Sequence, residues 1–228
     1  MFQYKIIPAS KRSKKISLSV NEEGILIIRA PKYTLKYQIE KLINQHKNWI
    51  EKQISTAKKV NKNYKQNAYY IFGKEYTLSS FSTVKKRPFI KLNEEASVLE
   101  VYSKTPLSIN EQKKLIKNFY KTLARSYFIQ RLELYSLAMK LKPNKLFIKS
   151  QKSLWGSCSS KNNINLNLKL LVYPKEIIDY VIIHELAHIK HKNHKKEFWD
   201  LVKLYYPDYK NAKRQLKNKL MRRYAEKI

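Results

Sequence analysis

The stretch Val181–His188, VIIHELAH, constrains this chain more than any other. Residues four apart share a face of an α-helix, about 6 Å from one another along the axis. His184 and His188 therefore project both imidazoles from one side of a helix, where they can chelate one metal ion. Ile177 and Val181 give that helix an apolar lead-in, and Pro174 suits its start. Glu185 stands next to the first histidine, where it can reach a metal-bound water without joining the ligands. This is the H-E-x-x-H arrangement, whose glutamate serves as general base in metal-assisted hydrolysis.

Zinc in such a site takes three protein ligands and leaves a fourth position for water. His191, His194 and Glu197 follow within ten residues of His188. His191 shares the helix face of His184 but lies roughly 10 Å further along the axis, too far to share its metal on a regular helix. After Lys192, Asn193 can stop one helix and cap the next, and a reversal there would bring His194 back toward the metal. Geometry therefore ranks His194 first, Glu197 second and His191 third. Two ordinary packing histidines on a helix are the plainer explanation, but four of the five histidines in the chain fall between 184 and 194. His46, alone on an amphipathic stretch, reads as a packing or surface residue.

The rest of the chain supplies an α+β setting. Segments 15–20 and 25–30 are β-rich and joined by a turn at Asn21–Gly24. Apolar residues from Thr34 to Lys59 recur at helical spacing, and residues 61–67 form a polar linker. Residues 68–103 read as further strands. Ser108 and Glu111 have capping-box spacing and open a helix running to about Lys140, closed by Pro143. Strands are expected at 145–150 and 164–172, the second alternating Ile164, Leu166 and Leu168 with asparagines and Lys169. The expected organisation is a β-rich accessory domain with one helix over 1–105 and a catalytic domain over 106–228. The first domain is expected to flank or shape the cleft.

Cys158 is the only cysteine, which excludes an internal disulfide framework and a Cys-rich zinc ribbon. No apolar run reaches the roughly 18 residues of a membrane helix, and the N-terminus breaks into charge too early for a signal peptide. The expected setting is cytoplasmic, without a membrane partner. The net charge of +31 suits non-specific contact with nucleic acid or another polyanion. Its lysines are nevertheless spread along the chain and accompanied by Ile, Asn and Tyr, as AT-rich codon usage alone would produce.

The segments SQKSLWGSCSS (150–160), NINLNLKLLVYP, IIDYVIIHELAH, NHKKEFW and YPDYKNAKRQL together resemble the YgjP-like metal-dependent hydrolases. These are minimal zincins related to the SprT and WLM metallopeptidases. The resemblance implies a zincin-like core, with a short sheet packed on the H-E-x-x-H helix and an edge strand bordering the cleft. It also implies that His184, His188 and His194 hold one Zn²⁺ per chain, with Glu185 as the catalytic base. The expected activity is that of a metallopeptidase acting on peptide or protein. The alternatives are a nucleoside triphosphate (UTP) pyrophosphatase, for which the usual Gly-rich phosphate loop is lacking, and a protease recruited to nucleic acid by its basic surface.

Within Trp155-Gly156-Ser157-Cys158, a Ser-Cys pair invites a nucleophile, yet no second base accompanies it. Cys158 as a metal ligand is redundant with the histidines. The plainer reading is a tight turn at Gly156 leading into the strand along the cleft, with Trp155 packed beneath it. Phe198 and Trp199 read as support for the metal helix. Tyr173 and Tyr180 remain candidates for stabilising an oxyanion.

Overall fold

The computed structural model describes residues 2–10, 13, 15–151 and 153–228, so Lys152 of the Trp-Gly-Ser-Cys region lies outside the described residues. The chain divides into two compact units, Met1–Lys65 and Gln66–Ile228. In the first, β1 (Tyr4–Pro8), β2 (Ser17–Val20) and β3 (Leu26–Ala30) form a sheet of order β1-β3-β2. Alternation of Leu26, Ile28 and Ala30 buries one face of the central strand against Ile39 and Ile50. Strands β2 and β3 are the antiparallel pair that the sequence pattern predicts; β1, whose residues do not alternate, adds in parallel to β3.

The helix expected over 34–59 is two helices, α1 (Lys36–Gln45) and α2 (Lys47–Asn63). They break at His46, where φ is −109° and ψ is 17°. His46 is exposed there, and α2 takes up the first residues of the expected linker.

In the second unit, β4 (Ala68–Ile71), β5 (Lys74–Ser82), β6 (Phe89–Asn93) and β7 (Val98–Ser103) form a sheet of order β4-β5-β7-β6. Phe72 and Gly73 join β4 to β5 with φ of 50° and 81°, the left-handed pair of a tight hairpin turn. α3 (Ile109–Met139) begins at the Ser108–Glu111 capping box and ends at Lys140 in the left-handed region. Then come β8 (Leu146–Lys149), β9 (Gly156–Cys158) and β10 (Ile164–Asn167), in the order β8-β10-β9, with β9 at the edge. The chain ends in α4 (Lys175–Lys190), α5 (Lys196–Tyr205), α6 (Tyr209–Gln215) and α7 (Lys219–Ala225). The architecture is mixed α+β, with small sheets packed on helices. Among the described residues no helix is long and apolar enough to cross a membrane.

The two units divide at 65/66, whereas composition suggested 105/106. The reason is packing. Ile71, Tyr76 and Leu99 share one buried cluster with Tyr120 and Phe128 of α3 and Ile183 of α4. The Tyr120 hydroxyl donates to the Tyr70 carbonyl at 2.9 Å, and the Phe72 amide donates to the Leu171 carbonyl at 2.7 Å.

The strand expected over 164–172 stops at Asn167 and becomes a 3-10 turn, Leu168–Val172. Its asparagines do not face solvent. β10 is the central strand and both its faces are covered, so Asn165 and Asn167 are buried. Lys169 is buried too, and its ammonium meets the Glu226 carboxylate at 2.6 Å.

Candidate metal centre

α4 is apolar on nearly every face. Ile177, Ile178, Val181, Ile182, Ile183, Leu186 and Ala187 are buried, so the helix runs through the core rather than over it. One ionic contact fixes it to α3. The Arg131 guanidinium grips Asp179 in a two-pronged bond, with Nε to Oδ1 at 2.7 Å and a terminal nitrogen to Oδ2 at 2.5 Å. The Tyr135 hydroxyl donates to the same carboxylate. On the next turns His184 and His188 project from one face, with ring centroids 5.0 Å apart.

The helix ends at His191, whose backbone is extended, and the chain reverses before α5 starts at Lys196. The reversal returns His194 to α4, with its Nε2 lying 3.2 Å from Nε2 of His184. Donor atoms of His184, His188 and His194 all lie within 4.8 Å of one another. His191 and Glu197 are not in this group. His191 contributes differently: its carbonyl takes the Nδ1 side of His188 at 3.0 Å. That contact favours the tautomer with Nδ1 protonated and leaves Nε2 free as a donor, the usual second contact of a metal-binding histidine.

The electrostatics agree with a ligand set. Burial, helped by the neighbouring His188, His194 and Lys213, pushes His184 down to about 3. Burial also lowers His188, partly offset by the His191 carbonyl. Both imidazoles are therefore neutral near pH 7, with no proton to displace before a cation binds. Three imidazoles suit zinc among the divalent ions, although Nδ1 of His184 is buried without a hydrogen-bond partner among the described residues.

Aromatic rings support the imidazoles, a role that the sequence indicated only as packing. Phe198 is fully buried, with its ring 4.9, 4.6 and 4.7 Å from those of His184, His188 and His194. Trp199 stacks on His194 at 5.6 Å and on Tyr209 at 5.0 Å. Lys213 lies over the Trp199 ring at 4.9 Å. Tyr180 is buried beside His184, and the Tyr173 hydroxyl is taken by the Leu216 carbonyl at 3.4 Å.

Glu185 is only 5% exposed, and burial alone pushes its carboxyl up to about 8. It faces β9. Gly156 is a strand residue paired with Leu166 of β10, not the tight turn expected from the sequence. Beneath it Trp155 packs edge-on against Tyr173 at 5.1 Å. The buried asparagines of β10 tie this segment down. Asn165 donates to the Ser157 hydroxyl at 3.1 Å, and Asn167 donates to the carbonyls of Gln151 and Leu154 at 2.9 and 2.7 Å. Sequence reasoning missed their part, and the signal was two polar side chains inside an otherwise apolar strand. Burial raises the Cys158 thiol, partly offset by the Lys192 charge and with a smaller push upward from Glu185, which disfavours the thiolate that nucleophilic or ligand chemistry needs.

An H-E-x-x-H helix crossing the core, with three imidazoles converging at its end, defines a metallopeptidase-type site. The family model for the YgjP-like metallopeptidase domain matches residues 14–219, and the chain belongs to that family. Among solved structures, the metallopeptidase zymogen of Pyrococcus abyssi abylysin is similar at 28% identity, with a TM-score of 0.38, over 40% of this chain and 92% of that one. No curated protein matches the chain.

Proposed function

We propose that this metallopeptidase is a zinc enzyme that hydrolyses peptide bonds, with His184, His188 and His194 as ligands and Glu185 as general base. The observation that carries the reading is the convergence of the three donor nitrogens within 4.8 Å. Held there, zinc would supply Lewis acidity and would lower the pKa of water toward neutrality. His188 is oriented by the His191 carbonyl and His194 by its stack on Trp199. Glu185 takes a proton from the attacking water and delivers it to the leaving amine nitrogen. Its burial supports this role, because a carboxyl raised toward neutral pH both accepts and returns a proton readily.

Lys213 and Lys192, whose charges act on His184 and His188, favour an anionic substrate and motivate a second reading, hydrolysis of a nucleoside triphosphate. The net charge of +31 motivates a third, recruitment to nucleic acid. Zinc-loaded protein assayed in parallel on casein, UTP and DNA-bound protein separates them, with Glu185→Gln as control. The peptidase reading expects casein cleavage that Glu185→Gln cuts by about 10²–10⁴-fold. Turnover of UTP alone contradicts it.

A further inference from the structure

Of the three glycines in the chain, Gly24 and Gly73 have φ of 83° and 81°, so their backbone conformation accounts for them. Gly156 does not: it sits in a strand without positive φ. Its neighbour accounts for it instead. A Cβ at Gly156 would lie 2.6 Å from Oε1, 2.7 Å from Cγ and 2.8 Å from Cδ of Glu185. Real Cβ contacts essentially never fall below 3.0 Å.

We propose that Gly156 is a positioning residue for Glu185: the missing side chain is the space the Glu185 carboxylate occupies. The inference rests on the reading of Glu185 as base. The three atoms nearest to that Cβ all belong to Glu185, so relief comes from rotating that side chain. The wall itself is held. β9 is bonded to β10, the Asn167 amide donates to the Trp155 carbonyl at 2.8 Å, and the Asn165 and Asn167 side chains anchor both flanks. A methyl group at 156 therefore moves the base and leaves the strand in place. A general base works within about 2.6–3.2 Å of the heavy atom that carries its proton, and a misplacement of about 1 Å can cost about 10²-fold in rate.

The test compares wild type, Gly156→Ala, Glu185→Gln and the double variant, all zinc-loaded, for kcat and KM on a peptide substrate. Zinc affinity is measured by chelator competition, and thermal midpoints are recorded. Gly156→Ala should lose about 10²-fold in kcat while KM, zinc affinity and the midpoint stay close to wild type. In the Glu185→Gln background the same change should cost nothing further, because the group it displaces no longer acts. A crystal structure of metal-free Gly156→Ala should show the Glu185 carboxylate moved and β9 in place. A kcat within threefold of wild type, additive losses in the double variant, or an unfolded Gly156→Ala overturns the inference. Full activity in Glu185→Gln overturns the base reading and this inference with it. An inactive Glu185→Gln beside an active Gly156→Ala overturns this inference alone.

Discussion

The Nε2 atoms of His184 and His194 lie 3.2 Å apart, although ten residues and a chain reversal separate them. Nitrogens bound tetrahedrally to one zinc at about 2.0–2.1 Å sit about 3.3 Å from each other. Folding has thus brought two ring nitrogens to the spacing that a shared cation imposes. Zinc binding to the folded state alone stabilises it by mass action, about 2.7 kcal/mol at a hundred times the Kd. Thermal scans should show the midpoint rising by several degrees with zinc. His194→Ala should need at least ten times more zinc for the same rise, whereas His191→Ala and Glu197→Gln should respond like wild type. An unchanged response in His194→Ala removes it from the ligand set.

The metal-free protein should lose stability between about pH 6.5 and pH 8. Burial holds the Glu185 proton up to about pH 8 in the folded chain, whereas its ordinary value is 4.5. Folding therefore binds a proton that the unfolded chain has lost, and stability falls as pH rises through the folded value. His184, lowered from 6.5 to about 3, works in the opposite direction, but only below about pH 6.5. The slope from one group is at most about 1.4 kcal/mol per pH unit. Denaturant titrations at pH 6.5 and 8 check this, and Glu185→Gln should remove the difference. A stability that rises over this interval in wild type contradicts the assignment.

Phe198→Ala should be costly on two measurements at once. Truncating a fully buried Phe typically costs about 3–5 kcal/mol. The cavity would open directly beneath the three imidazoles, so zinc affinity should fall along with the thermal midpoint. A stability loss with unaltered zinc affinity would make Phe198 a core residue only.

Asp179→Asn should destabilise by about 3 kcal/mol, because it leaves the part-buried Arg131 without its countercharge. Replacing both residues by apolar ones of similar volume should cost much less than either single change. Comparing urea midpoints of the two single variants and the double variant decides it. Additive losses would mean that the pair does not act as a unit.

The parts of this site set by local spacing were legible in the sequence. Helical periodicity alone puts His184 and His188 on one face, and the capping box at Ser108 and Glu111 marks the start of α3. What was not legible depends on partners distant in the chain. Asn165 and Asn167 alternate with Ile164 and Leu166 like an exposed face, and only the covering of both faces of β10, the central strand, buries them. Strands β4 to β7 are β-rich like the N-terminal segment, and nothing local shows that they pack on α3 instead. Gly156 resembles a turn glycine until Glu185, far along the chain, is placed against it.

Zinc K-edge X-ray absorption on the zinc-loaded protein tests the central claim most directly. With one zinc per chain, the account predicts about three imidazole nitrogens at about 2.0–2.1 Å, one further light ligand and no sulfur. His194→Ala should reduce the imidazole count by one, and Cys158→Ser should leave the spectrum unchanged. A sulfur shell at about 2.3 Å, or an imidazole count below three in the wild type, would contradict the three-histidine centre.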